Sequence, residues 1–438
     1  MFRLSSWWYS LQDTLWFIPG LMTAGAMLLS IVVLQIDRTV LPAQRLHTWW
    51  LFEGGAEGAR GVLSAIAGTM MTVATTAFSI TIVAVQLGSS QFSPRILRGF
   101  TGDRGNQFVL GAFISTFAYS LLVLRSVRSA TSDGQIFVPS ASVSLAIVLA
   151  LVSIGSLIYF FHHATRTIQA SVVIDRVAQD TFRLIEQELG IAAERSNYAG
   201  LTLDSNPDVE VSSDTSGYVT GLDEHALCRL AEMHDGTVFV HINIGDFLFT
   251  GTKIASMTVA RNEGTEPLHV IDDVDAVIRE VRRALTIDME RTLEQDVRLG
   301  FRQLADIAVK ALSPGINDPT TATMCIDRLG EALVHARELP GGMRTRTDDS
   351  GHPRLVQKRP GFESLLHIAV QQIRHFGAGD ATVITHLLRT LNAIVEDATL
   401  EARSIVTVEA KVVLDAALLT TDLPADRMRL QDAGAWAL

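Results

Sequence analysis

Four apolar runs within the first 161 residues constrain the fold of this chain more than any other feature. They cover residues 15–36, 62–87, 108–124 and 138–161, and none contains Asp, Glu, Lys, Arg or His. About 20 apolar residues in a helix span a hydrocarbon core of roughly 30 Å. Backbone polar groups in lipid must be hydrogen-bonded internally, so each run is expected to be a transmembrane helix.

The charge of the chain divides at the same place. Residues 1–161 carry nine Lys/Arg and six Asp/Glu, whereas residues 162–438 carry 27 Lys/Arg and 41 Asp/Glu. Nucleic-acid binding depends on basic side chains that neutralise phosphates, so the acidic second part argues against a nucleic-acid partner. It is long enough to form one or two packed soluble domains.

The sequence predicts a membrane α-helical protein with four transmembrane helices, followed by a cytoplasmic α+β domain that is mainly helical with a small β subdomain. The expected organisation comprises five parts. They are a transmembrane domain (1–161), a continuous connecting helix that Gly190 stops (162–195), a β-rich subdomain (196–262), a helical bundle (263–419) and a disordered tail (420–438).

Local signals place individual elements in the second part. Strands are expected at 217–222, 237–244 and 247–257, with a helix at 224–233. Asp318 followed by Pro319 is a helix-start signal, with Asp as the N-cap and Pro at the first helical position. Residues 340–360 are expected to form a loop or a short hairpin.

The orientation in the membrane rests on arginines near the spans. Six lie on the side that holds the C-terminal part and five on the other, so the positive-inside rule slightly favours a cytoplasmic C-terminal part. Only Cys228 and Cys325 occur, without a CxxC spacing, which is typical of a reducing compartment. We therefore expect a multi-pass protein of the inner (cytoplasmic) membrane.

Two strings of residues resemble a known family. Residues 79–95 read SITIVAVQLGSSQFSPR and residues 311–322 read ALSPGINDPTTA. They are similar to the bacterial predicted membrane proteins grouped as the domain of unknown function number 2254, and the resemblance covers almost the whole chain. It implies a bacterial inner-membrane location and carries no catalytic residues over to this chain.

The second span carries a polar stripe at helical spacing. Its candidate pore-lining residues recur every three or four positions and so share one face of the helix. They are Thr69, Thr72, Thr76, Ser79, Val83, Gln86 and Ser90. Several copies of this helix around an axis would form rings of hydroxyls along a water-filled path, with Val83 as a hydrophobic constriction. The competing interpretation is helix–helix packing, in which Ser and Thr are common.

Two further sets of residues are candidate binding sites. Arg95, Arg98 and Arg104 follow the second span, and they would either form a basic pore mouth that favours anions or anchor lipid headgroups. Ser313, Asn317, Asp318 and Thr320 crowd a helix start, where they would bind an anion or another subunit, or serve as a structural cap.

Enzyme signatures are lacking in the sequence. It contains no Walker loop, GxGxxG, HExxH or GxSxG string, so no enzymatic activity, cofactor or metal is expected. The spans lack the ionisable residues that pumps use as proton relays, which disfavours coupled transport.

The leading hypothesis is a homo-oligomeric passive channel for inorganic ions, with membrane lipid as its other partner. The alternative is a membrane-anchored scaffold or sensor whose cytoplasmic domain binds a partner or a small ligand.

Overall fold

The computed structural model describes residues 16–39, 51–91, 104–128, 137–167, 169–193, 207–259 and 273–438. The chain divides into two compact units, Met1–Val172 and Val173–Leu438. The first is called the membrane unit below, and the second the soluble unit. Four apolar helices are followed by a mainly helical unit with β-sheet, as the sequence predicts.

The described part of the membrane unit contains four long apolar helices. They are α1 (Phe17–Thr39), α2 (Ala56–Gln91), α3 (Arg104–Ser126) and α4 (Ser140–Thr167). All four are long and apolar enough to cross a membrane. Each extends past the charge-free run from which it was predicted, because polar residues at its ends continue the helix.

Helix α3 lies at the centre of this unit. Its Phe113 and Tyr119 side chains are fully buried. At Gly111, a Cβ atom would lie 2.5 Å from the Met22 sulfur and 3.2 Å from the Pro19 Cα atom. The absence of a side chain at Gly111 therefore allows α1 to pack closely against α3.

A buried carboxylate joins the end of α1 to the start of α4. Asp37 accepts hydrogen bonds from the backbone nitrogens of Ala141 (3.0 Å) and Ser142 (2.9 Å) and from the Ser142 hydroxyl. The Tyr119 hydroxyl donates to the Ser142 carbonyl oxygen at 3.2 Å. These bonds satisfy donors at the N-terminus of α4 that have no partner within the helix.

The predicted uninterrupted helix through residues 162–195 is wrong. Helix α4 ends at Thr167, and a separate helix, α5 (Ala170–Ala193), begins three residues later. The Gln169 backbone nitrogen donates to the Arg166 carbonyl, and the Val172 nitrogen donates to the Gln169 carbonyl, so the hydrogen bonds here join residues three apart. Helix propensity is low in this stretch because Thr165, Thr167 and Ile168 are β-branched. Gly190 lies inside α5 and does not stop it.

The described residues of the soluble unit form two sheets. Their strands are β1 (Val209–Ser212), β2 (Gly217–Leu222), β3 (Gly236–Val240), β4 (Phe247–Leu248), β5 (Lys253–Val259), β6 (Leu285–Asp288), β7 (Gly342–Thr347) and β8 (Pro353–Arg359). One sheet has the order β1-β5-β3-β8-β7 and the other β4-β2-β6. Strands β3 and β8 are parallel, and the other pairs are antiparallel.

Strand β2 is confirmed over its predicted range, whereas the other two predicted strands are shorter or divided. The run predicted at 247–257 separates into β4 and β5 because a turn closes between them, where the Thr252 nitrogen donates to the Phe249 carbonyl. Gly251 in this turn has a φ of 90°, which glycine adopts without strain.

The β structure is not confined to 196–262. Residues 340–360 form the hairpin alternative, β7–β8, and this hairpin pairs with β3 in the larger sheet. Strand β6, within the expected helical bundle, pairs with β2. The segment 263–419, expected as a helical bundle, therefore also contributes strands to both sheets. Local patterns did not indicate these pairings, because they join strands far apart in the sequence.

The remaining helices pack around the sheets and against one another. They are α6 (Glu224–Met233), α7 (Val274–Ala284), α8 (Val297–Ala311), α9 (Pro319–Ala336), α10 (Phe362–Gly377), α11 (Ala381–Val395), α12 (Leu400–Thr420) and α13 (Pro424–Gly434). Helix α6 matches its prediction, and Asp318 is the N-cap of α9 with Pro319 at the start. A core cluster that includes Leu227, Val238 and Met257 joins α6 to the larger sheet.

The prediction of a disordered tail at 420–438 is wrong. Helix α13 is followed by a 3₁₀ turn, Ala435–Ala437, and Leu430 of α13 is fully buried. The sequence held the signal for this helix, because Pro424 stands at its first turn.

Candidate functional site

Helix α2 has two faces of opposite character. Six of its described side chains are buried against the other helices of the membrane unit: Ala59, Leu63, Ala67, Met70, Ala74 and Ala77. Met70, Ala74 and Ala77 share an apolar cluster with Phe113 and Phe160. This face accounts for the packing of α2 within the chain.

The opposite face of α2 is the predicted polar stripe, and it is exposed in the single chain. All the stripe residues whose side chains are described lie on the exposed side: Thr69, Thr72, Thr76, Ser79, Val83 and Gln86. Thr75 is exposed beside them. Ser90 lies within α2, but its side chain is outside the described part. Within the described part of the chain, packing between helices therefore does not account for the stripe.

The exposed faces of the neighbouring helices differ from that of α2. Helix α1 exposes large apolar side chains such as Leu21, Leu28 and Ile31, and α4 exposes Leu151 and Ile158 among others. Such surfaces suit contact with lipid tails. The exposed face of α2 is instead rich in glycine and hydroxyl residues, which are typical of helix contacts or aqueous linings.

The hydroxyls of the stripe bond to the α2 backbone. Thr72 donates to the Gly68 carbonyl (3.1 Å), Thr76 to the Thr72 carbonyl (3.0 Å) and Ser79 to the Thr75 carbonyl (2.9 Å). Thr75 donates to the Met71 carbonyl at 3.0 Å. Each of these hydroxyls has used its single proton within the helix, so its oxygen lone pairs are what it presents outward.

The stripe is interrupted by an apolar zone. Val83 is 53% exposed, and Ile82 and Leu87 beside it are 49% and 44% exposed. Sequence reasoning identified Val83 alone as a constriction. The zone separates Ser79 from Gln86 along the described stripe.

The same face continues toward the start of α2 through residues that sequence reasoning missed. Glu57, Gly61, Ala65 and Gly68 are exposed and, at 100° per residue, fall in line with Thr72 and Ser79. A Cβ atom at Gly61 or Gly68 would meet no atom within 4 Å. The sequence does indicate this continuation, because the same spacing of three and four residues extends upstream of Thr69.

The basic residues after α2 are only partly described. Arg95 and Arg98 lie outside the described residues. Arg104 is exposed at the first position of α3. Whether these residues form a pore mouth or contact headgroups stays a prediction.

Asp318, the last residue of the loop before α9, caps the N-terminus of that helix. Asp318 accepts hydrogen bonds from the Thr321 backbone nitrogen (3.1 Å) and the Thr321 hydroxyl (2.6 Å). These bonds hold the pKa of Asp318 below its usual value. Its carboxylate thus occupies the N-terminus of α9, an arrangement that favours the capping interpretation over anion binding. Ser313, Asn317 and Thr320 lie around it, and Asn317 has a left-handed φ of 49°.

The soluble unit contains a buried ion-pair network that the sequence did not reveal. Glu188 of α5 contacts Arg344 of β7 at 3.0 Å and Arg359 of β8 at 2.9 Å. Arg359 also pairs with Glu224 at the start of α6, which accepts a further hydrogen bond from Gln357 at 2.8 Å. The network thereby joins two helices to the hairpin.

A second set of charges lies at the start of α8. Asp296 caps this helix and pairs with Arg291 at 2.6 Å, while Arg298 pairs with Asp246 at 2.9 Å. Burial raises the pKa of Asp296 despite its arginine partner. Burial also acts on Asp246, but hydrogen bonds from Arg298 and Asn243 outweigh it and lower the pKa.

An open cleft of about 700 Å³ lies in the soluble unit beside these charges. Its lining carries both signs of charge, from Arg298, Arg337, Lys358, Arg359, Glu338, Glu363 and Glu401. Among the described residues, no group of three His, Cys, Asp or Glu side chains is placed to hold a metal ion. The cleft is a candidate site for a small polar ligand or a peptide.

Comparison with known proteins agrees with the four apolar helices. The family described as "Predicted membrane protein (DUF2254)" matches residues 12–393. The chain belongs to this family. Within it, the protein is similar to uncharacterized proteins of Mycobacterium bovis and Mycobacterium tuberculosis, each 33% identical over 394 residues. These alignments cover 88% of this chain and 73% of the relative. No solved structure matches the chain.

Proposed function

We propose that this DUF2254 protein assembles with copies of itself around the exposed face of α2 and forms a passive ion pore. The soluble unit would assemble or gate the pore from the cytoplasmic side of the bacterial inner membrane. The observation that supports this most is the polarity of the exposed α2 face beside the apolar exposed faces of α1 and α4.

Exposure of this face to lipid would be less favourable than contact with water or with a second copy of the protein. Gln86 has an amide that hydrocarbon cannot hydrogen-bond, and Glu57 carries a charge at the end of the same face. A column of water would satisfy both groups, and the Gln86 amide of a second copy would pair with that of the first. Rings of Thr72, Thr76 and Ser79 from several copies would surround such a column.

The apolar zone gives the pore a candidate gate. In an assembly, Val83 from each copy would face the axis, with Ile82 and Leu87 on either side of it. A narrow ring of aliphatic side chains expels water and blocks ions without a physical plug. No enzymatic step is part of this proposal.

The second candidate function is a membrane-anchored scaffold or sensor. The cleft in the soluble unit favours it, because clefts of this size accommodate small ligands. In that case the membrane unit would serve as an anchor, and removing the soluble unit would abolish function.

Single-channel recording in planar bilayers tests the pore. Val83→Thr preserves the side-chain shape and adds a hydroxyl, so it should remove the dewetting barrier and raise the open probability or conductance. Val85→Thr makes the same change away from the exposed stripe and should leave the currents unchanged. Absence of current from the purified protein, or equal effects of the two substitutions, would contradict the pore.

A further inference from the structure

We infer that the path along α2 selects small cations, an inference that rests on the proposed pore. It draws on the orientation of the stripe hydroxyls and on the single charged residue at the start of the same face. The orientation of the hydroxyls is not used in the proposal that a pore exists.

The first observation concerns the hydroxyl protons. Thr72, Thr75, Thr76 and Ser79 each donate to the carbonyl four residues earlier, at distances of 2.9–3.1 Å. A hydroxyl has one proton and two acceptor lone pairs, so the outward side of each is an acceptor. Small cations are bound by oxygen lone pairs, as in carbonyl-lined filters, whereas an anion needs N–H or O–H donors. To donate to an anion, each of these hydroxyls would have to break its bond to the backbone.

The second observation is the charge on the face itself. Among the described positions of the stripe and its upstream continuation, Glu57 is the sole charged residue. Gly61 and Gly68 follow it and leave the path beyond the carboxylate open. Arg60 is also exposed, but it lies about 100° around the helix from Gly61, and its guanidinium donates to the Val127 carbonyl at 3.1 Å.

A ring of Glu57 carboxylates would concentrate cations at one mouth of the path. Acidic rings are a common device of cation channels. A unit charge about 4 Å from an ion in water changes the local ion concentration roughly fivefold. Gln86 bears the only amide donors on the described stripe, so it does not reverse this preference.

The test is the reversal potential of the full-length protein in bilayers under a potassium chloride gradient. The wild-type protein should reverse near the potassium equilibrium potential. Glu57→Gln should reduce the potassium-to-chloride permeability ratio by about 25-fold at low salt, because the local potassium concentration falls about fivefold and the local chloride concentration rises about fivefold. The effect should be smaller at about 1 M salt, where the Debye length is about 3 Å.

A matched pair of substitutions tests the hydroxyls. Thr76→Val removes a lone-pair donor from the stripe and should lower the permeability ratio. Thr81→Val makes the same change on a half-buried residue of α2, which donates to the Ala77 carbonyl at 2.9 Å, and should leave the ratio unchanged.

The outcomes separate this inference from the proposed function. Currents that reverse near the chloride potential would overturn cation selectivity and leave the pore intact, and they would favour a role for Arg95 and Arg98. A permeability ratio that neither Glu57→Gln nor Thr76→Val changes would also overturn the inference. If the purified protein carries no current, the pore and its selectivity both fail.

Discussion

At the scale of single residues, the soluble unit depends on a few buried charges with long-range partners. Glu188 is about nine-tenths buried and is held by two arginines from the β7–β8 hairpin. Burying a carboxylate is costly unless cations and hydrogen bonds compensate for the lost water. In this network each buried ion is compensated by its partners. Removal of one ion therefore leaves the others buried without a counter-charge, which lowers the free energy of unfolding.

Replacement of Glu188 should therefore be strongly destabilising. Glu188→Ala leaves Arg344 and Arg359 buried without their carboxylate, and we expect a loss of about 3–5 kcal/mol in the free energy of unfolding. Urea denaturation of the full-length protein in detergent, followed by circular dichroism, measures it. Glu186→Ala on the exposed side of the same helix is the control and should change stability by less than about 0.5 kcal/mol. Equal midpoints for the two variants would contradict the network.

The sequence predicts helix N-caps, but it does not predict the ion-pair network around Glu188. Asp318 was predicted as an N-cap because capping depends on residues within one turn of each other. Glu188 and Arg344 are 156 positions apart, and their contact depends on the placement of a hairpin that local patterns left open. A single sequence carries no signal for such a pair.

At the scale of elements, helices were predictable where periodicity and caps agreed. The four spans, α6 and the start of α9 followed from those signals. The break between α4 and α5 did not, because no Pro or Gly marks it. The membership of β6, β7 and β8 in the two sheets depends on pairing between distant segments, which local propensity does not encode.

Close packing between α5 and α8 gives a prediction at this scale. A Cβ atom at Gly300 of α8 would lie 2.2 Å from the Thr181 hydroxyl oxygen, and Thr181 is a short, fully buried side chain of α5. Gly300→Ala should force the two helices apart and cost about 1–3 kcal/mol of stability. The measurement is the urea midpoint of the full-length variant.

Gly315→Ala is the matched control for that substitution. A Cβ atom at Gly315 would meet nothing within 4 Å, and the residue lies in an exposed loop. Its urea midpoint should stay within the equivalent of about 0.5 kcal/mol of the wild type, since the change only restricts the unfolded chain. If Gly300→Ala behaves like Gly315→Ala, the α5–α8 contact is looser than the structure indicates.

At the scale of the whole molecule, the exposed faces of the membrane unit determine the functional account. The sequence predicted the stripe on α2, and the structure places it away from the buried core of the chain. Sequence reasoning could not decide between packing and exposure, because both use the same small polar residues. The same spacing extends the stripe to Glu57. The sequence prediction did not include this residue because it lies upstream of the charge-free run.

The central claim is that the polar face of α2 meets water, and thiol labelling in proteoliposomes tests it most directly. Cysteines introduced singly at Thr72, Thr76 and Ser79 should react with a membrane-impermeant reagent, while cysteines at Val152 and Ile158 of α4 should not. Background labelling should be low, because Cys228 and Cys325 are both buried. Labelling of the α2 positions that is as low as at the α4 positions would contradict the account.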